Sequence, residues 1–372
     1  MRLKCLTVQS YKHPYEVRFE EDFAAALNEH LMLGDVVTVD ATVLKLYQEQ
    51  LAPILRDASH FVIEPSEEQK SYQGIEPFIN HLIETGFRKN NRLIAIGGGI
   101  TQDITAFTAS IIFRGVDWFF YPTTLLAQCD SCIGSKTSIN FGKSKNQLGN
   151  FYPPKEIVID HRFLDTLSPL DFRSGMGEML HYYLVSGEED FQRMLREYDS
   201  ALEDKAVLHE LIYHSLDFKR SYVERDEFDQ GPRNVFNYGH SFGHAIETLT
   251  NYTVPHGIAV SIGMDIANYL SVQLGYISRE LYERMRVLLK KNWGDIRLTN
   301  ISVNDFIHAL AKDKKAVGSE LRVILTKGLG QMFKTPLPMT SAVTDWLAEY
   351  FASFDSPTEQ NSSAGLVRSQ IA

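Results

Sequence analysis

The sequence predicts an α/β fold in its first half, followed by a helical second half that carries a metal site. Short β-branched runs alternate with helical stretches up to about residue 165, and helical periods dominate after it. In the helical half, the motif N-Y-G-H-S-F-G-H-A-I-E from Asn237 to Glu247 places two histidines one helical turn apart. These observations together predict two domains.

In the first half, buried β-branched runs indicate strands and apolar spacing indicates helices at Ile75–Thr85 and Ile104–Phe113. The predicted strands are Asp35–Asp40, Phe61–Glu64, Leu93–Ile96, Trp118–Tyr121 and Ile157–Asp160. Alternation of this kind is typical of a mostly parallel sheet covered by helices.

In the second half, helices are predicted to start at Ser168–Pro169 and within Ser215–Lys219. Longer helices are predicted at Ile258–Leu274 and Leu281–Lys291, with a short strand pair near Leu321–Thr326 and Gly330–Phe333. We expect domains at 1–165 and 166–354. Residues 355–372 are polar and Ser-rich without periodicity, which predicts a disordered tail.

Bulk properties exclude several classes of protein. The 372 residues carry a formal net charge of −10, which argues against a broad surface for nucleic acid or anionic membrane. No apolar run approaches the length of a membrane span, and the first residues lack the apolar core of a signal peptide. Only three cysteines occur, so a reducing cytoplasm is expected. The lone pair Cys129 and Cys132 could be a redox or zinc pair, but two small buried residues are the favoured interpretation.

A glycine run, Gly97–Gly99, follows a predicted strand and opens a helix. Backbone N–H groups there can approach a pyrophosphate at the helix N-terminus. A tight β–α turn that binds no ligand would have the same sequence pattern. Asp40, at a strand end, could accept a hydrogen bond from a ribose hydroxyl or could cap a helix.

Polar and basic residues stand amid apolar residues and glycines between positions 122 and 146: Asp130, Lys136, Lys145 and Asn146. Such a loop suits a phosphate, although scattered surface lysines remain an alternative. Further basic residues follow at Lys219, Arg233 and the K-D-K-K run Lys312–Lys315. Most of these residues could be surface charges.

The metal site is predicted from residue types and spacing. His240 and His244 point the same way from one helix, His256 follows after a turn, and Glu178 lies in the helical stretch S-G-M-G-E-M-L-H. Two or three histidines with one carboxylate form a zinc-type ligand set that leaves room for substrate.

Taken together, these segments resemble the sugar phosphate cyclase superfamily, and most closely the 3-dehydroquinate synthase family, over roughly residues 30 to 335. The motifs that carry the resemblance are G-G-G-x-x-x-D, R-G-V, P-T-T-L-L-A-x-x-D-S-x-I-G-x-K-T, K-N-x-x-G, G-M-x-E, and N-x-G-H-S-x-G-H-A-I-E followed by H-G. The resemblance implies a Rossmann-like α/β domain that binds NAD, a helical metal-binding domain, and a site in the cleft between them.

The resemblance also implies roles for individual residues. The implied metal ligands are Glu178, His240 and His256, with His244 on the substrate side. The implied NAD contacts are Asp40, Glu67, Lys70, Gly98, Gly99, Asp103, Thr123, Thr124, Lys145 and Thr166. The implied phosphate contacts are Lys136, Asn146, Asn237, His244 and Lys314. Lys219 and Arg233 match residues that hold a carboxylate, Asp130 matches an acid near the substrate hydroxyls, and Arg114 matches an arginine contributed across a homodimer.

The chemistry implied by the resemblance converts 3-deoxy-arabino-heptulosonate 7-phosphate to 3-dehydroquinate and phosphate. It proceeds by transient oxidation with NAD, phosphate elimination, re-reduction and an intramolecular aldol, with zinc or cobalt as Lewis acid. The enzyme would be a cytoplasmic lyase of the shikimate pathway of aromatic amino acid biosynthesis, and no nucleic acid or membrane partner is expected.

One departure leaves the substrate open. His181 stands where the family usually has lysine, three residues after the metal-binding glutamate. A cyclitol-biosynthesis cyclase acting on sedoheptulose 7-phosphate or another sugar phosphate, of the valiolone or deoxyinosose type, is therefore the alternative. Retention of Asn237, His244 and Arg233 favours the acidic substrate. A catalytically silent binding subunit and a zinc-dependent polyol dehydrogenase are further alternatives.

Overall fold

The structure is a computed structural model that describes residues 4–142, 144–299, 301–311 and 321–354. Lys314, with the rest of the Lys312–Lys315 run, and the predicted tail 355–372 lie outside the described residues.

A seven-stranded sheet forms the first half of the protein, and a two-stranded hairpin lies beside it. The strands are β1 Cys5–Val8, β2 Tyr15–Phe19, β3 Val36–Asp40, β4 Ser59–Ile63, β5 Leu93–Gly97, β6 Trp118–Pro122, β7 Lys136–Phe141, β8 Ser144–Phe151 and β9 Glu156–Ile159. The sheet has the order β1-β2-β9-β6-β5-β3-β4, and β1 pairs antiparallel with β2 while the other pairs are parallel. The predicted parallel α/β sheet is confirmed.

Helices connect the parallel strands: α1 Phe23–His30, α2 Ala41–Leu46, α3 Gln48–Leu55, α4 Glu76–Glu84 and α5 Gly99–Ile111. The central strands β3, β5 and β6 are buried along their whole length. Because both faces of these strands are covered, their sequences are largely apolar, and these runs are recognisable in the sequence.

The second half is built from helices, with one further hairpin. The helices are α6 Pro169–Ser186, α7 Glu188–Ala201, α8 Lys205–Val223, α9 His240–Leu249, α10 His256–Gln273, α11 Arg279–Trp293, α12 Val303–Ala311 and α13 Ser341–Phe354. The hairpin consists of β10 Leu321–Thr326 and β11 Met332–Leu337, which confirms the predicted strand pair.

One predicted helix start is wrong. Ser215–Lys219 lies in the interior of α8, which begins at Lys205 because the Asp204 side chain caps it by accepting from the Ala206 N–H. The start at Ser168–Pro169 is confirmed, since the Ser168 side chain accepts from the Asp171 N–H.

Cys129 and Cys132 are both buried free thiols, so the favoured interpretation of this pair is confirmed. Burial raises the pKa of both thiols, which disfavours the thiolate that redox or metal chemistry requires. Within the described residues, no helix is both long enough and apolar enough to span a bilayer.

Candidate active site

Three helices bring the predicted metal ligands together. Glu178 lies in the middle of α6, and His240 and His256 are the first residues of α9 and α10. The Oε1 atom of Glu178 lies 3.0 Å from Nε2 of His256 and 3.5 Å from Nε2 of His240. These three side chains can offer one ligand atom each within 4.8 Å of one another.

The helices can approach so closely because glycines stand where they cross. A Cβ atom on Gly177 of α6 would lie 1.9 Å from the backbone oxygen of Gly257 in α10. A Cβ on Gly263 of α10 would lie 2.1 Å from the backbone oxygen of Gly239, just before α9. The convergence of the ligands therefore depends on residues without side chains.

The donor set fits a divalent metal such as zinc. It consists of one carboxylate and two imidazoles, and the buried Oε1 of Glu178 faces the Nε2 atoms of both histidines. The Nδ1 atom of His256 lies 3.0 Å from Oε2 of Glu247, so this carboxylate can orient the ring. The Nδ1 atom of His240 lies 3.2 Å from the backbone oxygen of Tyr238, which orients the second ring.

Charges in this cluster are strongly coupled. Burial alone would raise the pKa of Glu178, but His240 and His256 outweigh it and hold that pKa well below its usual range. Burial alone would lower the pKa of His256, but its hydrogen bonds with Glu178 and Glu247 raise that pKa well above its ordinary value. Glu178 and Glu247 thus favour a proton on His256, and a bound metal ion would take the place of that proton.

His244 lies beside the cluster, with its ring centroid 5.8 Å from that of His240 and 5.7 Å from that of His256. It also forms a second possible ligand group with Glu247 and His256. Its substrate-side role therefore stays a prediction.

His181 is fully buried behind the ligands, and its ring centroid lies 5.5 Å from that of His240. Burial lowers the pKa of His181 to about 4, so it is neutral at physiological pH. The usual lysine would bring a charge to this position, and His181 does not.

The predicted nucleotide residues line the carboxyl ends of the central strands. Gly98 and Gly99 open α5 directly after β5, and Thr124 lies against Gly98. Thr123 is buried just after β6, and Asp40 ends β3. Asp40 caps α2 by accepting from the backbone N–H groups of Thr42 and Val43 through Oδ1. The cap interpretation of Asp40 is thus confirmed, and its ribose contact stays a prediction.

Two ion pairs join the remaining predicted NAD contacts. Lys70 and Asp103 form a 2.7 Å pair, and Lys145 lies 3.6 Å from Glu67. Asp103 also accepts from the backbone N–H of Ser138 in β7, so the unpredicted hairpin β7–β8 holds this edge together. Thr166 lies apart from these pairs, with its hydroxyl 3.1 Å from that of Tyr47.

A group of cations lies between the two halves, and acids accompany them. Lys219 of α8 pairs with Asp130 at 2.8 Å, and Lys136 of β7 pairs with Asp229 at 2.6 Å. Burial and the neighbouring Arg233 lower the pKa of Lys136, although Asp229 opposes the shift. Arg233 is buried and donates to the backbone oxygen of Glu227. Such a pocket suits a substrate with more than one anionic group.

The predicted amide groups flank these cations. The Oδ1 atom of Asn146 accepts from the Ser138 hydroxyl at 2.7 Å. Asn237 donates to the backbone oxygen of Asn234 and lines a polar cavity of about 190 Å³ with Asp229, Arg322 and Lys334.

Arg114 lies beyond the end of α5 that is remote from the glycine turn. It follows α5, which starts at the carboxyl edge of β5 and runs for 13 residues back across the sheet. At 1.5 Å per residue, this helix carries Arg114 roughly 20 Å from Gly98.

Three site residues were missed by sequence reasoning: Tyr182, Asp229 and Glu247. The Tyr182 hydroxyl donates to Asp130, Asp229 pairs with Lys136, and Glu247 contacts His256. Glu247 could have been found, because it ends the histidine motif on the same helix. The other two contacts join distant parts of the chain, and the sequence contains no signal for them.

Comparisons with known proteins agree with this geometry. The family model for the 3-dehydroquinate synthase N-terminal region matches residues 60–174, and the model for its C-terminal region matches residues 175–316. A 3-dehydroquinate synthase from Bartonella tribocorum is 33% identical over 90% of this chain and 94% of its own length.

Solved structures share the fold. A 2-epi-5-epi-valiolone synthase from Streptomyces hygroscopicus with NAD+ and Zn2+ bound is 26% identical, with a TM-score of 0.80 over 95% of this chain and 99% of its own. A 2-deoxy-scyllo-inosose synthase, complexed with carbaglucose-6-phosphate, NAD+ and Co2+, has a TM-score of 0.80 at 21% identity over 93% of this chain and 99% of its own. The chain thus has the fold of the sugar phosphate cyclases. It belongs to the 3-dehydroquinate synthase family.

Proposed function

We propose that this protein is a lyase that converts 3-deoxy-arabino-heptulosonate 7-phosphate to 3-dehydroquinate and phosphate. The observation that carries the proposal is a group of three cations beside the Glu178 cluster: Lys219 and Arg233, which are buried, and Lys136, which is half exposed. Its positive charges can hold a phosphate and a carboxylate on one substrate, whereas a heptulose phosphate carries a phosphate but no carboxylate.

The cofactors we propose are NAD and one divalent metal, zinc or cobalt. When bound, NAD would accept and return a hydride, and the metal would polarise a substrate oxygen as a Lewis acid. Glu178, His240 and His256 would hold the metal. The paired groups Lys70–Asp103 and Glu67–Lys145, with Gly98, Gly99, Thr123, Thr124, Asp40 and Thr166, would hold NAD.

The residues of the chain would mainly position the substrate and neutralise its charge. Lys136, Asn146 and Asn237 would bind the phosphate, with Lys314 as a further proposed contact. Lys219 has three N–H donors and uses two of them on Asp130, which leaves one for the substrate carboxylate beside Arg233. Asp130 would accept from a substrate hydroxyl, and His244 would face the substrate.

A homodimer is the proposed assembly. Arg114 lies beyond the end of α5, roughly 20 Å from Gly98, and this separation from the glycine turn supports a role in the site of a partner. We also propose a cytoplasmic location and a division into domains near residue 165, where the last strand of the sheet gives way to α6.

A second candidate is a cyclase that acts on sedoheptulose 7-phosphate. The neutral, buried His181 favours it, because a lysine contact to the substrate hydroxyls would be lost at this position. The same fold in a 2-epi-5-epi-valiolone synthase also supports this candidate.

Phosphate release by the purified protein, supplied with NAD and zinc, distinguishes the candidates. We expect release from 3-deoxy-arabino-heptulosonate 7-phosphate and little from sedoheptulose 7-phosphate. Release from the second sugar alone would replace the proposal with the second candidate. Release from neither, with steady NADH formation from simple polyols, would identify a dehydrogenase. A protein without any activity that still binds these ligands would be a silent homologue.

A further inference from the structure

A buried hydrogen bond lies behind the predicted metal ligands. The Tyr238 hydroxyl donates to Oδ1 of Asn268 in α10, and both residues are completely buried. Neither residue belongs to the predicted ligand set or to the predicted substrate contacts.

The backbone of Tyr238 controls one ligand. Its carbonyl oxygen lies 3.2 Å from Nδ1 of His240, two residues further along the chain. When Nδ1 donates to this carbonyl, the tautomer is fixed and Nε2 is free to coordinate. Nε2 is the atom that lies 3.5 Å from Glu178. The position of the Tyr238 peptide therefore sets the direction of the His240 ligand atom.

The segment around Tyr238 is also held by its backbone, since the Tyr238 N–H donates to the carbonyl oxygen of Val235 at 3.0 Å. Gly239, between Tyr238 and His240, has φ of 80° and provides no side chain to cap α9. The missing side chain lets Gly239 pack closely against Val260 and Met264 of α10. The hydrogen bond of the Tyr238 side chain to Asn268 adds a side-chain anchor to these backbone contacts.

The same bond sets the register of two helices that carry ligands. Glu247 of α9 contacts His256 of α10, and nearer the start of α9 the backbone at Gly239 lies against Gly263. These contacts show that α9 and α10 run antiparallel. The Tyr238–Asn268 bond continues the pairing beyond the start of α9. A slip of one turn would move His240 by about 5.4 Å relative to His256.

We propose that Tyr238 and Asn268 form a positioning pair that holds His240 in its metal-binding orientation and in register with His256. The inference rests on the metal site of the proposed function. The pair touches neither metal nor substrate, and it acts through the Tyr238 carbonyl.

The test compares metal binding by the wild-type protein and the double variant Tyr238→Phe/Asn268→Leu. Removing both partners avoids a buried polar group without a hydrogen bond, so the fold should survive. The metal is stripped with a chelator, and Zn2+ or Co2+ alone is then titrated against a chromophoric competitor. We expect a roughly 10- to 100-fold weaker metal affinity and an altered Co2+ absorption spectrum.

The matched control is Tyr198→Phe. Tyr198 donates to Asn292 at 3.0 Å between two buried residues, but neither α7 nor α11 carries a ligand. This variant should bind metal like the wild type. If the double variant does not fold, the same titration is made with the single variant Tyr238→Phe, and the same loss of metal affinity is expected.

Unchanged affinity and an unchanged Co2+ spectrum in a folded Tyr238 variant would overturn the inference. An equal loss in Tyr198→Phe would do so too, because it would show a general effect of destabilisation. A wild-type protein that binds neither ion would instead refute the metal site, and with it the proposed function. No sugar phosphate is used, so the two failures are separable.

Discussion

The Nζ atom of Lys219 lies 2.8 Å from Oδ1 of Asp130 and 2.6 Å from the backbone oxygen of the same residue. This contact joins the helical half of the protein to the sheet half, because Lys219 belongs to α8 and Asp130 follows β6. Lys219 is only 6% exposed, so water can do little to replace its counter-ion.

Asp130→Asn should therefore lower the free energy of unfolding by about 1–3 kcal/mol, because it leaves a buried ammonium without a charged partner. Urea denaturation measures this change. The control is Asp165→Asn, which removes the partner of the exposed Lys205 at 2.6 Å and should cost less than about 1 kcal/mol. Equal costs for both variants would show that the Lys219 pair contributes no more than a surface pair.

Glu178→Gln should abolish metal binding while the fold is kept. The amide is a poor ligand, and the change removes the carboxylate that both histidines share. Elemental analysis should find no bound zinc, and phosphate release should fall at least ~100-fold, since even outer-shell changes cost up to that much. His214→Gln, at a histidine paired with Asp190 instead, should keep its zinc. Zinc retained by the Glu178 variant would refute the ligand assignment.

Arg233→Ala should separate the two candidate substrates. A charge-assisted hydrogen bond to a carboxylate is worth about 1.5–3 kcal/mol, so kcat/KM for the heptulosonate phosphate should fall at least about 10-fold further than for sedoheptulose 7-phosphate. Arg225→Ala, at a residue stacked 4.5 Å from the Tyr222 ring, serves as the control and should affect neither. Similar losses on both sugars would remove the main argument for an acidic substrate.

Mixed dimers test whether Arg114 acts in the site of its partner. Arg114→Ala and Glu178→Gln should each be inactive alone. Random pairing of the two variants puts one intact site in each heterodimer, so a co-expressed mixture should regain about a quarter of wild-type activity. If light scattering shows dimers but the mixture regains no activity, Arg114 acts in the site of its own chain or in no site.

Asp265 should make stability depend on pH. It is fully buried, and burial raises its pKa from 3.8 to about 6. The folded state then holds a proton that the unfolded state loses, so the wild type loses stability as pH rises from about 4 to 6. Relative to Asp265→Asn, that loss should be about 3 kcal/mol, measured by urea denaturation at several pH values. Asp345→Asn, on an exposed face of α13, should show no such dependence. A constant difference across this pH range would contradict the prediction.

The sequence predicts the fold where a single strand or helix shows its burial in its own residues. Leu93–Gly97 is buried on both faces and is apolar throughout, so it was recognised. Ser144–Phe151 reads S-K-N-Q-L-G-N-F and has no fully buried residue, so nothing in its own composition indicates a strand. Its strand conformation comes from pairing with Lys136–Phe141. That partner lies in the segment whose sequence suits a phosphate-binding loop, so its strand was not predicted either.

The candidate site divides in the same way. His240 and Glu247 share a short helix, so their spacing is visible in the sequence. The contact of Tyr182 with Asp130 spans 52 positions, and that of Lys136 with Asp229 spans 93. Such pairs arise only when the two halves of the chain have folded against each other. Local sequence patterns therefore identify candidate site residues, but they do not identify the counter-ions that pair with those residues.

The glycine contacts between α6, α9 and α10 change how sequence variants of this protein should be ranked. Alanine is the mildest replacement for glycine by chemical similarity, and at Gly177 or Gly263 its single methyl group would press on the backbone of the neighbouring helix. The harm would reach the metal ligands although no ligand had changed. A survey that checks only coordinating side chains would score such a variant as harmless and miss a class of inactive proteins.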